Sequence, residues 1–350
     1  MNSTLPRGEI LIKAKIMKYF LLMVGGALSI FLILSGAHGW FVPEKAVFLL
    51  KPNENLSLIT EPADGVAPVI SMITSASTSI DLVIYELADQ EIENDIAAAH
   101  GRGIRVRVLL SRGYYGEPSK VNGQAYTFFQ SQNIPVKWTS SNFALTHEKS
   151  LIVDGNAVLI MTFNLMAQYY STGRDFALID KDQADVRAIE STFDADWQGN
   201  QIASLVGDDL IWSPGSEDRT LAMIHGATST LDVYNEEMAD QNVTDALESA
   251  AKRGVIVRVI MTYASEWKSA FRELSNAGAQ IRTYAKKAPL YIHAKMILAD
   301  GRISFIGSQN FSETSQNENR ELGIELVDRG IIKSLLATFN EDWRGAKLFL

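Results

Sequence analysis

The chain has 350 residues, 47% of them hydrophobic, a formal net charge of -9 and no cysteine. Its length and apolar content suffice for real cores, and the lack of cysteine excludes disulfides, a thiolate nucleophile and every Cys-ligated metal site. An acidic chain has no general attraction for phosphate polymers, so nucleic-acid binding would need a local basic groove.

In chain order, residues 1–18 form a basic tail, with Arg7, Lys13, Lys15 and Lys18 against Glu9. Tyr19 to Leu34 is nearly continuous apolar sequence, and no full charge occurs between Lys18 and Glu44. That is roughly the length of a bilayer crossing, and the basic flank places the N-terminus in the cytoplasm and the remainder outside. Ser35-Gly36-Ala37 also has the small residues that a signal peptidase reads. The expectation is a transmembrane anchor or signal peptide over 19–37, an N-terminal hydrophobic helix in either case, and a linker over 38–54. The body would be extracytoplasmic, either membrane-anchored or secreted after cleavage near Ala37.

From residue 55 onward the sequence can be laid on itself. SIDLVIYELADQ (Ser79 to Gln90) returns as TLDVYNEEMADQ (Thr230 to Gln241), RGIRVRVLL (Arg102 to Leu110) as RGVIVRVIM (Arg253 to Met261), and STFDADWQG (Ser191 to Gly199) as ATFNEDWRG (Ala337 to Gly345). Two halves follow, 55–205 and 206–350. Ile80 to Tyr85 reads as a strand, and Gln90 to His100 as a helix with Ile92, Ile96 and Ala99 on one face and a stop at Gly101 and Gly103. Ile104 to Leu110 is again a strand. The second half repeats the pattern with Val243, Leu247 and Ala250, then Gly254. A βαβ unit twice over gives an α/β class, with mixed sheets because hairpins follow.

Among the five histidines, His38, His100 and His225 read as structural. His147 and His293 instead open HEKSLIVDGNAVLIMTFN and HAKMILADGRISFIGSQN, each a strand, an Asp-Gly turn and a strand. With two-residue loops at Gly155-Asn156 and Gly301-Arg302, Lys149 faces Thr162, His147 faces Asn164, Lys295 faces Ser308 and His293 faces Asn310. Alternation then gathers imidazole, ammonium, hydroxyl and amide on one face of each ribbon.

Such a cluster suits phosphoryl chemistry. An imidazole attacks phosphorus or moves a proton near neutral pH. Lys149, Lys295 and the phosphate-binding candidates Thr162, Asn164, Ser308 and Asn310 would hold the non-bridging oxygens. Cleaving a diester through a covalent intermediate takes two imidazoles, and two repeats facing each other supply both. Asp175 in GRDFALI and Glu321 in NRELGI follow the hairpins at equal distance. Each either orients an imidazole, as in a triad, or pairs with the adjoining Arg174 or Arg320. Asp154 and Asp300 read as turn residues that shape the hairpins. A lysine two residues from each histidine would repel a divalent cation without ligating it, so neither a metal nor another cofactor is expected.

These residues resemble the phospholipase D superfamily, whose signature is H-x-K, four residues, D, six residues, G-S-x-N, in two copies. His293, Lys295, Asp300, Gly307, Ser308 and Asn310 match throughout; His147, Lys149, Asp154 and Asn164 match, with Met161 and Thr162 in place of Gly-Ser. The resemblance implies two pseudo-twofold lobes with the site between them and a metal-independent phosphohistidine intermediate. It also implies His147 as nucleophile and His293 as general acid. The expected function is hydrolysis of phospholipid headgroup diesters at a membrane by a monomer, since both motifs lie in one chain. The alternatives are a phosphatidyltransferase of the cardiolipin synthase type and an endonuclease, for which Trp138, Trp267 and Tyr291 could stack on bases. A degenerate binding protein is a further possibility that the Met161-Thr162 departure would suit.

Overall fold

Repeated hydrophobic patterns should produce repeated sheets, and they do so over seven strands of each half, with one more strand added at the edge of the second. The computed structural model describes residues 55–113, 119–200, 209–287 and 289–350. The first half contains β1 (Leu56–Glu61), α1 (Ala67–Ser75), β2 (Ser79–Ile84), β3 (Leu87–Ala88), α2 (Gln90–Gly101), β4 (Arg105–Leu110), α3 (Lys120–Ser131), β5 (Val136–Trp138), β6 (Ser150–Val153), β7 (Ala157–Met161), β8 (Leu165–Met166), β9 (Gly173–Asp180) and α4 (Gln183–Gln198). The second contains β10 (Leu210–Ser213), α5 (Glu217–Gly226), β11 (Thr230–Tyr234), α6 (Gln241–Lys252), β12 (Ile256–Thr262), α7 (Lys268–Asn276), β13 (Gln280–Tyr284), β14 (Tyr291–Ile292), β15 (Lys295–Ala299), β16 (Ile303–Gly307), α8 (Glu313–Asn317), β17 (Glu321–Leu326), α9 (Arg329–Gly345) and β18 (Lys347–Leu348).

The strand orders are β1-β9-β7-β6-β2-β4-β5 and β10-β17-β16-β15-β11-β12-β13-β18. In both, the βαβ strands pair in parallel, β2 with β4 and β11 with β12, and the hairpin strands pair antiparallel. Asp89 and Asp240 cap α2 and α6, accepting from backbone amides of the first turn. One core joins the inner faces of both sheets to α4 and α9, through residues such as Val83, Phe176, Phe193, Ile260, Ile306 and Phe339. Two outer cores lie beneath α1 to α3 and beneath α5 to α7.

The hairpin register differs by one residue from expectation. The turns centre on Asp154-Gly155 and Asp300-Gly301, all with positive φ (57°, 62°, 54° and 61°), which is what a type I′ turn demands. Asn156 and Arg302 add a third loop residue to each turn, so Val153 pairs with Ala157 and Lys295 with Gly307. The cause lies outside the hairpin. Asp154 is held by the amides of Ser77, Thr78 and Ser79 at the start of β2, and Asp300 by those of Thr228, Ser229 and Thr230. Each aspartate is thus a clamp between hairpin and central strand, and its carboxyl is lowered by those hydrogen bonds despite partial burial.

The anchor expectation is also corrected. Among the described residues no helix is long and apolar enough to cross a membrane. The longest, α9, is amphipathic, with Ile331, Leu335 and Phe339 buried and Lys333, Glu341 and Arg344 on its other positions. Residues 19–37, on which the transmembrane or signal reading and the extracytoplasmic placement rested, lie outside the described residues.

Candidate active site

The segment carrying each histidine does not begin in its own sheet. Thr146 bridges in parallel to Arg320, and the amides of His147 and Glu148 donate to the Arg320 carbonyl at 2.9 and 3.0 Å. In the other half β14 runs parallel to the start of β9, Ile292 opposite Arg174, and the amides of His293 and Ala294 donate to the Arg174 carbonyl at 3.2 and 2.8 Å. Each histidine is thereby delivered beside the residue that follows the arginine of the opposite half. Those residues are Asp175 and Glu321.

The result is a crossed pairing. His147 Nδ1 lies 2.9 Å from Glu321 Oε2 and 3.1 Å from the Ser308 carbonyl; His293 Nδ1 lies 2.9 Å from Asp175 Oδ1. A proton donated from Nδ1 leaves the lone pair on Nε2. The alternative partners are engaged elsewhere: Arg174 pairs with Asp342 at 2.6 Å and Arg320 with Asp196 at 2.9 Å. Each carboxylate is itself held, Asp175 by the Thr162 hydroxyl at 2.6 Å and Glu321 by Ser315 and by Asn319 at 3.0 Å.

Both imidazoles line one cavity of about 720 Å³, together with Asn164, Asn310 and Asp175. Lys149 and Lys295 are buried, and each donates back to the carbonyl of its own histidine at 2.6 Å. Thr162 and Ser308 do not line the cavity. The Thr162 hydroxyl serves Asp175, and the Ser308 hydroxyl accepts from the Leu322 amide at 3.2 Å, because the register places both beyond the hairpin ladder and against the next strand. Gly307 of the Gly-Ser pair answers to packing: a Cβ there would meet the Gly323 Cα at 2.6 Å and the Phe305 ring at 2.8 Å. Met161 opposes Ala177 and packs in an outer core, where a side chain fits.

The two histidines share this frame but differ in their surroundings. Tyr85 packs edge-on to His147, ring centroids 4.8 Å apart. Burial, the Lys149 charge and the more distant Lys295 lower His147 to about 4, against the opposing pull of Glu321. Burial and Lys295 also bring the Lys149 ammonium down to about 7. Burial alone would raise Glu321, but His147, Lys149 and the Ser315 hydroxyl lower it. At the position equivalent to Tyr85 the second half has Glu236. Its Oε2 lies 3.4 Å from His293 Nε2 and 3.2 Å from Lys295 Nζ, and the Tyr291 hydroxyl donates to its Oε1 at 2.8 Å. His293 therefore has a carboxylate at each nitrogen, whereas His147 has one carboxylate and a ring.

Sequence reasoning passed over Tyr85, Glu236 and Glu61. The first two carried a readable signal, because they occupy aligned positions of SIDLVIYELADQ and TLDVYNEEMADQ where the repeats disagree. His100, His225, Trp138 and Trp267 do not line the cavity.

The family model described as "Cardiolipin synthase, PLD-like domain" matches residues 69–197 and 220–343. Similar curated proteins include the cardiolipin synthase of Geobacillus kaustophilus (strain HTA426), 25% identical over 83% of this chain and 66% of that protein. The major cardiolipin synthase of Bacillus subtilis (strain 168) is 24% identical over 89% of this chain and 72% of that protein. The chain thus spans about two thirds of their length. Among solved structures, phosphatidylserine synthase from Haemophilus influenzae Rd KW20 gives a TM-score of 0.65 at 12% identity over 86% of this chain and 88% of that one. Polyphosphate kinase from Porphyromonas gingivalis gives 0.65 at 14% identity over 89% and 53%. These two likenesses concern the fold. The family match, in contrast, takes in both histidine motifs, and this chain belongs to the cardiolipin synthase, phospholipase D-like domain family.

Proposed function

We propose that the chain is a phosphatidyltransferase of the cardiolipin synthase type, with 55–205 and 206–350 as its two phospholipase D-like repeats and one copy of the chain as a complete site. The observation that carries this reading is that two imidazoles, each tied through Nδ1 to a carboxylate of the opposite half, line the same cavity. The transferase reading takes its support from the family match and the curated relatives. The hydrolysis expected from the sequence is the same first step with water in place of the acceptor alcohol.

In the proposed reaction His147 Nε2 attacks phosphorus and the phosphorus–oxygen bond to the leaving alcohol breaks. His293 gives that oxygen its Nε2 proton. The acceptor alcohol then loses its proton to His293 and its oxygen displaces His147, which restores both rings. Their surroundings support this order of roles: a buried imidazole lowered to about 4 is neutral and nucleophilic at physiological pH, and one with Asp175 and Glu236 at its two nitrogens has acceptors placed for proton transfer. Lys149, Lys295, Asn164 and Asn310 would offset charge on the phosphoryl oxygens. A polynucleotide suits the cavity poorly, since Glu61, Glu86, Asp175, Glu236 and Glu237 all line it.

The test is to incubate the full chain with phosphatidylglycerol vesicles in excess EDTA and identify the products. Cardiolipin supports transfer and phosphatidic acid supports hydrolysis, and His147→Ala and His293→Ala should each abolish both. Turnover that stops on chelation, or cleavage of single-stranded DNA with no lipid product, would overturn the reading.

A further inference from the structure

The cavity wall beside His293 carries a carboxyl that the chemistry above does not use. Glu61, the last residue of β1, is 1% exposed and lines the cavity. Both its carboxyl oxygens are buried and make no well-formed hydrogen bond among the described residues; the Gly65 amide is close enough to lower the carboxyl somewhat, but not to satisfy it. Nearby donors are committed elsewhere: the Arg174 guanidinium serves Asp342 and the Glu61 backbone carbonyl, and the Tyr170 hydroxyl serves Asp89 at 2.9 Å. Burying such a group is unfavourable, and burial, with Asp175 and Asp64 close by, raises it to about 7.

The fold itself does not require this carboxyl. Glu61 lies opposite Asp175 across β1 and β9, and the equivalent pair in the other half is Ser213 opposite Glu321. Ser213 is satisfied by Ser216 at 2.7 Å. A costly group present in one half, facing a cavity, points to a ligand.

The register indicates which part of a ligand. Directly opposed residues on antiparallel strands share a face with Cβ atoms about 5 Å apart, and Asp175 holds His293, the imidazole assigned above to the alcohol oxygen. Glu61 therefore stands on the alcohol side of the phosphorus. The buried side-chain atoms of the cavity wall that lack a partner are oxygens, two on Glu61 and one each on Asn164, Asn310 and Asn319. An asparagine can turn its amide to offer either end; an ionised carboxylate can only accept. Its complement is an N–H or O–H donor.

We propose that Glu61 forms a subsite for a hydrogen-bond donor, a hydroxyl or an ammonium, carried by the alcohol half of the phosphodiester. This rests on the reading that the two histidines work on a phospholipid diester, and it adds the group that selects the alcohol.

The experiment is calorimetric binding of glycerol phosphate, phosphoethanolamine and methyl phosphate to the full chain at pH 8, with Glu61→Ala and Glu61→Gln variants. The unaltered protein should bind at least one donor-bearing ester about tenfold or more tightly than methyl phosphate. Glu61→Ala should bring all three within about twofold, while methyl phosphate itself shifts by less than twofold. Preference for phosphoethanolamine alone identifies an ammonium; preference for both identifies a shared donor site. Glu61→Gln, which keeps the shape and an acceptor, should retain part of a hydroxyl preference and lose an ammonium preference, and it serves if the Ala variant fails to fold. No preference in the unaltered protein, or equal weakening of all three esters in either variant, overturns the proposal. A preference that tracks Glu61 in a protein yielding neither cardiolipin nor phosphatidic acid from vesicles supports the subsite and removes the lipid reading.

Discussion

Glu61→Gln should stabilise the unliganded protein more at pH 8 than at pH 4.5, and the size of that change follows from the carboxyl's surroundings. Its ordinary value of 4.5 rises to about 7 in the fold through burial and the charges of Asp175 and Asp64, which the Gly65 amide and the Arg174 guanidinium only partly offset. A raised folded value means that the folded state holds the proton more tightly than the unfolded chain. The associated stability is complete below pH 4.5 and is lost as pH rises through about 7. The loss amounts to about 3 kcal/mol. Glutamine does not titrate, and its unpaired amide carries the same penalty at every pH, so the stability difference between variant and parent should grow by about 3 kcal/mol between pH 4.5 and 8. Urea unfolding at pH 4.5, 6 and 8 measures it, with an unchanged m value as the check on two-state behaviour. Glu93 and Glu148, also raised to about 7 by burial, are common to both proteins and cancel. A difference that stays flat with pH, or grows toward acid, refutes the reasoning.

The crossed pairing predicts which ring each carboxylate controls. Asp175→Asn should move the His293 imidazole nitrogen resonances and leave those of His147 in place, and Glu321→Gln should do the reverse, each lowering kcat by about 10²- to 10⁴-fold; resonances that follow the sequence halves would contradict the structure. The nucleophile must be neutral, so kcat/KM should fall as pH drops through about 4, where burial and Lys149 hold His147. Lys149→Met removes the cation that helps lower it and should move this acid limb upward toward 6.5, and a limb that stays put or moves down would sink the account.

How much of this was legible depended on whether the relevant contact lay within a repeat or between repeats. Binary patterning and turn residues located the βαβ units, and the Asp-Gly pairs located the hairpins to within one residue. The slip of one came from a long-range cause: Asp154 adopts a left-handed backbone because amides 77 residues earlier hold its carboxylate. The same slip turned Thr162 and Ser308 from expected phosphate ligands into supports for Asp175 and the β17 backbone. Asp175 and Glu321 could be named from spacing, but not the ring each would meet, because the choice is made by backbone pairing between Ile292 and Arg174 and between Thr146 and Arg320. Glu61 left no mark at all; its meaning lies in a missing partner.

The crossing also bears on how one symmetric frame yields two unlike histidines. Each ring receives a carboxylate at Nδ1 and a lysine beneath it, so nothing in the shared pattern decides which attacks and which carries the proton. The decision must come from positions where the halves differ, and those next to the chemistry include Tyr85 against Glu236, and Glu61 against Ser213. The first pair gives one imidazole a ring and the other a second carboxylate. The second places a poorly satisfied acceptor opposite Asp175, which holds the histidine that also has Glu236. Both differences fall on the same side, so in the proposed reaction the alcohol would be handled where carboxyl groups accumulate, and burial with Lys149 keeps His147 on the opposite side neutral.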